Sequence, residues 1–379
     1  MKITVVHLIN DLERAGAQQM VLSIVRAHDL VRFEPVVVMW GGLDDLKSAV
    51  EELGVRVVDL GGTGKFSLRA LSRLTRELRR LRPDVLHTHL MHMHVVGRLA
   101  AKATGVPVVV STHHNLRLGN HVLMRIAERI TRPLSTVTTT VTEAAEVSYF
   151  GQSALFSEDA FAAGRRHFTI PNGLALDRLE EIRLCTDTDA VRARLGIRQE
   201  FVLTCVGRLH RSKGHGYLLE AMGEASGKVE GLRLLLVGDG DRRSALEVQI
   251  EELGLGPVVT ILGHRSDAME IVAASDGFVL ASILEGFGLA VAEAMMLGVP
   301  VISTNLDAIQ EVAGTCGKLV APRSPHALAE AIIALVREQP QRAQEGIDRV
   351  RARFDIEVVL RQYERLYSLA LGSDPASAT

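Results

Sequence analysis

Two carboxylates, Glu285 and Glu293, frame the stretch most suggestive of chemistry: Ser282-Ile283-Leu284-Glu285-Gly286-Phe287-Gly288-Leu289-Ala290-Val291-Ala292-Glu293. The apolar run 277–281 precedes it and a helix is expected to run from it to about Leu297. Gly286 and Gly288 let a ligand approach the backbone closely. Free amides at the helix start, reinforced by about half a positive charge from the helix dipole, would face an anion. Carboxylates accept hydrogen bonds from sugar hydroxyls, so a pair flanking a phosphate cradle points to a nucleotide sugar. At this spacing an isolated Glu pair is usually a solvated helix face. The glycines following a buried strand favour the binding reading here.

A second stretch, Val206-Gly207-Arg208-Leu209-His210-Arg211-Ser212-Lys213-Gly214, follows the apolar run 201–206. Arg208 and Lys213 could clamp a diphosphate, Arg with a planar fork and Lys with a point charge. Other phosphate motifs are excluded. Gly64-Lys65 has Asp59 where a P-loop requires glycine. Gly238-Asp239-Gly240 has Arg243 where a dinucleotide fingerprint requires its third glycine.

Short apolar runs separated by helical patterns must position these residues. Strands are expected at 3–9, 34–40, 55–59, 84–88, 107–112, 136–141 and 167–170, then at 201–206, 232–237, 258–262, 277–281 and 300–303. Most are continuously apolar, as strands of a parallel sheet covered on both faces should be. Seven strands plus five call for two sheets, and 379 residues exceed one ordinary core. Glu51-Glu52-Leu53-Gly54 and Glu251-Glu252-Leu253-Gly254 stand in like positions in the two halves. This is either an internal echo or simply two glycine-capped helix ends; both imply βαβ units. The expected division is 1–173, 174–353 starting in a polar stretch at 173–199, a closing helix at 354–371, and a disordered tail at 372–379.

Net charge is −2, which excludes a globally basic nucleic-acid binder. The halves differ in sign: residues 1–170 carry 21 basic and 16 acidic side chains, and the remainder 22 and 29. Helix 67–82 places Arg69, Arg73, Arg76 and Arg80 on one face, and Leu68, Leu71, Leu74, Leu78 and Leu81 define a core face. The arginine stripe reads either as a solvated face or as a contact with anionic lipid. Cys185, Cys205 and Cys316 form neither a C-x-x-C pair nor a disulfide framework. The run Ile3 to Ile9 is stopped by Asp11 and Glu13, unlike a secretory signal, and no apolar run approaches the ~18 residues of a membrane span. A cytoplasmic protein is expected, at most peripheral at the inner face of the membrane. His87, His89, His92, His94, His113 and His114 cluster in sequence. An H-x-H on a strand could ligate a metal; polar lining at the ends of the strands is the simpler account, and no metal site is assigned.

Glu285-Gly286-Phe287-Gly288…Glu293, Gly207-Arg208…Lys213-Gly214, Pro171-Asn172-Gly173 and Val237-Gly238-Asp239-Gly240 together resemble the family-4 retaining glycosyltransferases of group 1, over about 1–371. The resemblance implies an α/β GT-B architecture, with two Rossmann-like domains facing a cleft, the acceptor on the N-terminal domain and the donor on the C-terminal domain. It implies that Glu285 contacts the transferred sugar and Glu293 the ribose hydroxyls. Arg208 and Lys213 would bind the diphosphate, with Gly238, Gly286 and the backbone at Phe287, Gly288 and Leu289 assisting. His264 and Arg265 would meet the base. Gly16, in Ala15-Gly16-Ala17-Gln18, would approach the donor phosphate; Ala15 and Gln18 depart from the family's usual Gly-Gly-Ala-Glu. An active-site histidine is implied at the end of 107–112, His113 first and His114 as fallback. The implied chemistry is hexosyl transfer from a nucleotide sugar, most simply a UDP-sugar, to a saccharide, lipid-linked or small-molecule hydroxyl, with no other cofactor. A nucleotide-sugar epimerase of the same fold and a non-catalytic sugar-nucleotide sensor are the alternatives.

Overall fold

The computed structural model describes residues 2–64, 67–117, 122–338 and 343–372. The chain divides into two compact units: unit 1 holds Met1–Leu174 and the segment from Phe354 onward, and unit 2 holds Ala175–Arg353. Residues 373–379 of the expected tail lie outside the described residues.

In chain order, unit 1 contains β1 (Ile3–Ile9), α1 (Gly16–Ala27), β2 (Phe33–Met39), α2 (Lys47–Glu51), β3 (Arg56–Asp59), α3 (Leu68–Leu81), β4 (Val85–His89), α4 (Met91–Thr104), β5 (Val108–His113), α5 (Val122–Thr131), β6 (Val137–Thr140), α6 (Glu143–Phe150), α7 (Glu158–Ala162) and β7 (His167–Thr169). Unit 2 follows with α8 (Leu176–Cys185), α9 (Thr188–Arg194), β8 (Phe201–Val206), α10 (His215–Ser226), β9 (Leu232–Val237), α11 (Arg243–Glu252), β10 (Val259–Gly263), α12 (Ala268–Ala273), β11 (Gly277–Leu280), α13 (Leu289–Met296), β12 (Val301–Thr304), α14 (Asp307–Ala313), β13 (Gly317–Val320), α15 (Pro325–Glu338) and α16 (Gln344–Phe354). The last helix, α17 (Ile356–Ala370), belongs to unit 1.

Both sheets are wholly parallel, in the orders β3-β2-β1-β4-β5-β6-β7 and β10-β9-β8-β11-β12-β13. The alternation along β1 shows why its strand is apolar throughout. Val5 packs with Met20 and Ile24 of α1 and with Tyr363, Leu366 and Tyr367 of α17. Val6 and Leu8 face the other way, onto Leu74 and Leu78 of α3 and Met93 and Val96 of α4. In each sheet the strand order reverses beside the first strand, between β1 and β4 and between β8 and β11. Ligands of open α/β sheets bind at such reversals, beyond the carboxyl ends of the strands.

Four expectations need correction. β13 was not anticipated: its four residues, Gly-Lys-Leu-Val, lie at the sheet edge with one residue buried, too few for a pattern. The polar stretch 173–199, read as the start of the second domain with little apolar periodicity, forms α8 and α9. Asp187 caps α9 by accepting from the Ala190 amide, and Leu179, Ile182 and Val191 are buried. The closing helix starts at Ile356, since Phe354 ends α16. Leu68 does not join the core face of α3; it is 85% exposed in the first turn, ahead of the buried positions Ala70, Leu74 and Leu78.

The Pro171-Asn172-Gly173 motif has a packing reason. Leu174 donates to Phe354 and accepts from Ile356, both through the main chain. A Cβ on Gly173 would lie 2.7 Å from Ile356 Cα, so only glycine allows the chain to return this closely.

Candidate functional site

In unit 2 the loops after β8, β9 and β11 are stitched together before any side chain is considered. Leu209 donates to Asp239, and Ile283 donates to Ser212, both through the main chain. Gly214 sits at φ +65°, where a Cβ would come within 2.0 Å of Ala281 O. That contact brings the end of the β8 loop against the end of β11.

The stitching unites two residues that sequence reasoning treated separately. Lys213 Nζ donates to Glu285 Oε1 at 2.6 Å, and Ser282 Oγ donates to the same oxygen at 2.6 Å. Glu285 is buried, so its second oxygen is held in a defined direction. Arg208 is exposed on the same loop and makes no side-chain hydrogen bond or ion pair with the described residues. Gly286, Phe287 and Gly288 lead into α13, with Gly288 at φ +95° as its N-cap. The amides of Leu289 and Ala290 open the helix and have no partner within it. Glu293 lies partly buried on α13, and burial pushes its carboxyl up to about 7, with Arg178 pulling the other way.

Other predicted donor residues are placed less decisively. Gly238 follows β9 and its amide donates to Gly263 O at 2.8 Å. His264 is exposed at the end of β10. The Arg265 guanidinium bonds both oxygens of Asp267 at 2.8 Å, so its side chain is already engaged. In unit 1, Gly16 opens α1 and is exposed. The departure at Gln18 has a local role: its amide donates to Asp11 Oδ1 at 2.6 Å and ties α1 to the end of β1.

The carboxyl ends of β1, β4 and β5 carry a histidine cluster. Because side chains alternate along a strand, His113 and His114 diverge. His113 stacks on Tyr149 at 3.9 Å between ring centroids, and its Nε2 lies 3.6 Å from Glu128 Oε1. Glu128 also holds the buried Arg98 and Arg132. His114 faces the other way, into a chain of rings. His114 Nε2 lies 3.1 Å from His89 Nδ1, His89 Nε2 lies 3.2 Å from His7 Nδ1, and His7 Nε2 lies 3.3 Å from His28 Nε2. His28 Nδ1 ends the chain 3.1 Å from Glu364 Oε1, on α17. Burial, and the neighbouring imidazoles after it, hold His7 and His89 far below the usual histidine range. Burial pushes His114 down to about 3. With all four rings neutral and Glu364 accepting, each ring donates toward Glu364, which leaves His114 Nδ1 as an acceptor. That atom is buried and has no hydrogen-bond partner among the described residues.

His7, His87 and His89 also present nitrogens within 4.8 Å of one another. His87 is already used twice, by Tyr367 OH at 2.7 Å and Thr112 Oγ1 at 2.6 Å, and His7 by two histidines. The hydrogen-bonded account satisfies these atoms without an ion. The arginines of α3 are divided: Arg73 donates to Leu60 O at 2.8 Å, Arg80 pairs with Glu77 at 2.7 Å, and Arg69 and Arg76 are exposed. Sequence reasoning missed His7, His28 and Glu364. The one signal for the strand-end cluster was the H-x-H at 87 and 89.

Residues 2–148 match the model of Glycosyltransferase Family 4, and residues 200–338 match that of Glycosyl transferases group 1. The chain is 28% identical over 244 residues to the Escherichia coli UDP-Gal:alpha-D-GlcNAc-diphosphoundecaprenol alpha-1,3-galactosyltransferase, a match covering 63% of this chain and 62%, under two thirds, of that enzyme. It is 26% identical over 300 residues to the 2-deoxystreptamine glucosyltransferase of Streptomyces kanamyceticus, covering 76% of this chain and 77% of the relative. Its fold is similar to that of Anabaena HepE, solved in complex with UDP and glucose, with a TM-score of 0.83 at 21% identity over 97% of this chain and 100% of the other. Two parallel Rossmann-like sheets, the two family models and the GT-B neighbour agree: the chain belongs to the family-4, group 1 glycosyltransferases.

Proposed function

We propose that this glycosyltransferase moves a hexose from a nucleotide diphosphate, a UDP-sugar in the first instance, to a hydroxyl acceptor with retention of anomeric configuration. The observation that carries the reading is the Lys213–Glu285 pair at the entrance to α13. It places a cation, an oriented carboxylate and a helix N-terminus within one loop cluster. Lys213, Arg208 and the α13 amides would stabilise the charge growing on the departing diphosphate. Glu285 would accept from sugar hydroxyls and Glu293 from the ribose. No nucleophilic carboxylate is assigned, so the acceptor hydroxyl would attack on the face that the diphosphate leaves, giving its proton to the leaving phosphate. In unit 1 we assign the active-site histidine role to His114 in place of His113: His113 Nε2 and His114 Nδ1 are both buried without a hydrogen-bond partner among the described residues, but the His113 ring stacks on Tyr149 and its Nε2 lies 3.6 Å from Glu128 Oε1.

Support for a UDP donor comes from the UDP-bound neighbour, and support for a saccharide or glycoconjugate product from the relatives' names. The reading is tested by incubating UDP-, GDP- and ADP-sugars with and without acceptor saccharides and assigning the product anomer by NMR. An α-linked product from an α-linked donor supports it; an inverted product removes the retaining mechanism. Conversion of the donor alone into an epimer would favour the isomerase.

A further inference from the structure

Side chains on one face of a sheet recur at every second residue, and in unit 1 that rule collects imidazoles. His7 of β1 stands beside His87 of β4, and His89 follows on the same face. Val5, two residues before His7, packs that face on α1 and α17. His114 lies just past β5, His28 just past α1, and Glu364 on α17. None of His114, His89, His7, His28 and Glu364 is more than 8% exposed. His87 stands outside their chain, bonded to Tyr367 OH and Thr112 Oγ1.

A neutral imidazole has one N–H and one bare nitrogen, so in a chain of such rings the direction of one hydrogen bond sets all the others. Reversing one ring alone would put two N–H groups, or two bare nitrogens, face to face in a buried site. The chain therefore reverses as a whole or not at all. Its closed end is Glu364 Oε1. That oxygen receives the Asp29 amide at 3.2 Å as well as His28 Nδ1 at 3.1 Å. An amide can only donate and a carboxylate can only accept, so the end is anchored in one sense. The open end is His114 Nδ1, buried and without a hydrogen-bond partner among the described residues. Burial, which lowers His7, His89 and His114, opposes the charged rings that would break the sequence of donors and acceptors.

We propose that Glu364 is a positioning residue for sugar transfer: acting through His28, His7 and His89, it holds His114 Nδ1 as a bare acceptor, able to receive a hydrogen bond from a hydroxyl and unable to donate one. The proposal rests on the reading of His114 as the active-site histidine. With the chain reversed, the same atom would carry a hydrogen and repel the hydroxyl hydrogen that it should receive.

The test combines nitrogen NMR of the histidine-labelled full chain with steady-state kinetics, the His114 signal being assigned by its loss in His114→Ala. In wild type, His114 is expected as the Nε2–H tautomer. Glu364→Leu removes the closing acceptor, so the Nδ1–H tautomer should appear at His114. Its kcat should fall ~10–100-fold, the range for losing an outer partner that orients a working histidine, with donor KM nearly unchanged. Glu364→Gln keeps an oxygen for His28 and Asp29, and should restore the tautomer and most of the turnover. His7→Leu cuts the chain midway; combined with Glu364→Leu it should cost no more turnover than either alone. Tyr367→Phe removes a buried hydroxyl from the same helix but outside the chain, and should leave the His114 tautomer as it is. Thermal melting and UDP binding check that each variant is folded. An unchanged His114 tautomer in Glu364→Leu overturns the proposal, as do losses that add in the double variant or a glutamine variant as impaired as the leucine one. Full turnover by His114→Ala overturns the reading of His114 instead, and with it the link to transfer, even where the tautomer still follows Glu364.

Discussion

Lys213 Nζ lies 2.6 Å from Glu285 Oε1, joining the loop after β8 to the loop after β11. The pair couples the residue expected to meet the diphosphate with the residue expected to meet the sugar. Lys213→Ala should lower kcat ~10²–10³-fold, the range for losing a dedicated transition-state donor. Steady-state kinetics at saturating donor check this, and unchanged turnover removes Lys213 from the chemical step. Lys213→Arg should restore little, because the guanidinium fork differs in shape from the ammonium.

Glu293 makes a pH-dependent prediction. Burial raises its carboxyl to about 7, so in the ligand-free fold the neutral form persists up to about pH 7, well above the range of a free glutamate. A raised folded-state value contributes stability that is full below the unfolded value and lost as pH rises through about 7. Glu293→Gln should therefore raise the Tm of ligand-free protein at pH 8 and change it little at pH 4.5. In the same variant donor KM should rise with kcat nearly preserved, because ribose contacts exist in ground and transition states alike. A variant whose Tm advantage is the same at both pH values, or whose loss is confined to kcat, contradicts this account.

Gly214 is the hinge of the stitched loops. Gly214→Ala puts a Cβ 2.0 Å from Ala281 O at φ +65°. Overpacking costs about 1–3 kcal/mol, and the left-handed backbone about 1–2 kcal/mol more. Chemical denaturation should show a loss of that size, and donor turnover should fall with it. Gly254→Ala, also at positive φ but with open space around the site, should cost only the smaller part.

The two adjacent histidines should separate cleanly. His114→Ala should lower turnover by ~10²-fold or more if its Nδ1 accepts from a reacting or transferred group. His113→Ala should instead lower Tm, since it removes the ring stacked on Tyr149 and beside Glu128. Nitrogen NMR of wild-type protein should find His114 as the Nε2–H tautomer. Replacing Glu364 with Leu should disturb that tautomer, although the two residues do not touch. An unchanged His114 signal in that variant would show that the ring chain does not set its state.

The fold was largely legible because a buried parallel sheet demands continuous apolar strands, and twelve of them stood out between helices. Short or one-sided elements did not: β13 buries one residue, and α8 and α9 bury three between them. In the candidate site, Glu285, Glu293, Arg208 and Lys213 were recognisable from residue type beside glycine-containing loops. The ion pair between two of them was not, since it depends on Gly214 meeting Ala281 across adjacent strands.

The sequence by itself determined two α/β units, the loops that carry charge and glycine, and the family. Tertiary structure alone decided which neighbours those charges keep. His114 reaches Glu364 through His89, His7 and His28, although His28 and Glu364 are separated by 336 positions. It also decided that α5, rather than α3, turns its apolar residues outward. Periodicity reveals that a helix has two faces; which face is covered depends on what packs against it, and that information lies elsewhere in the chain.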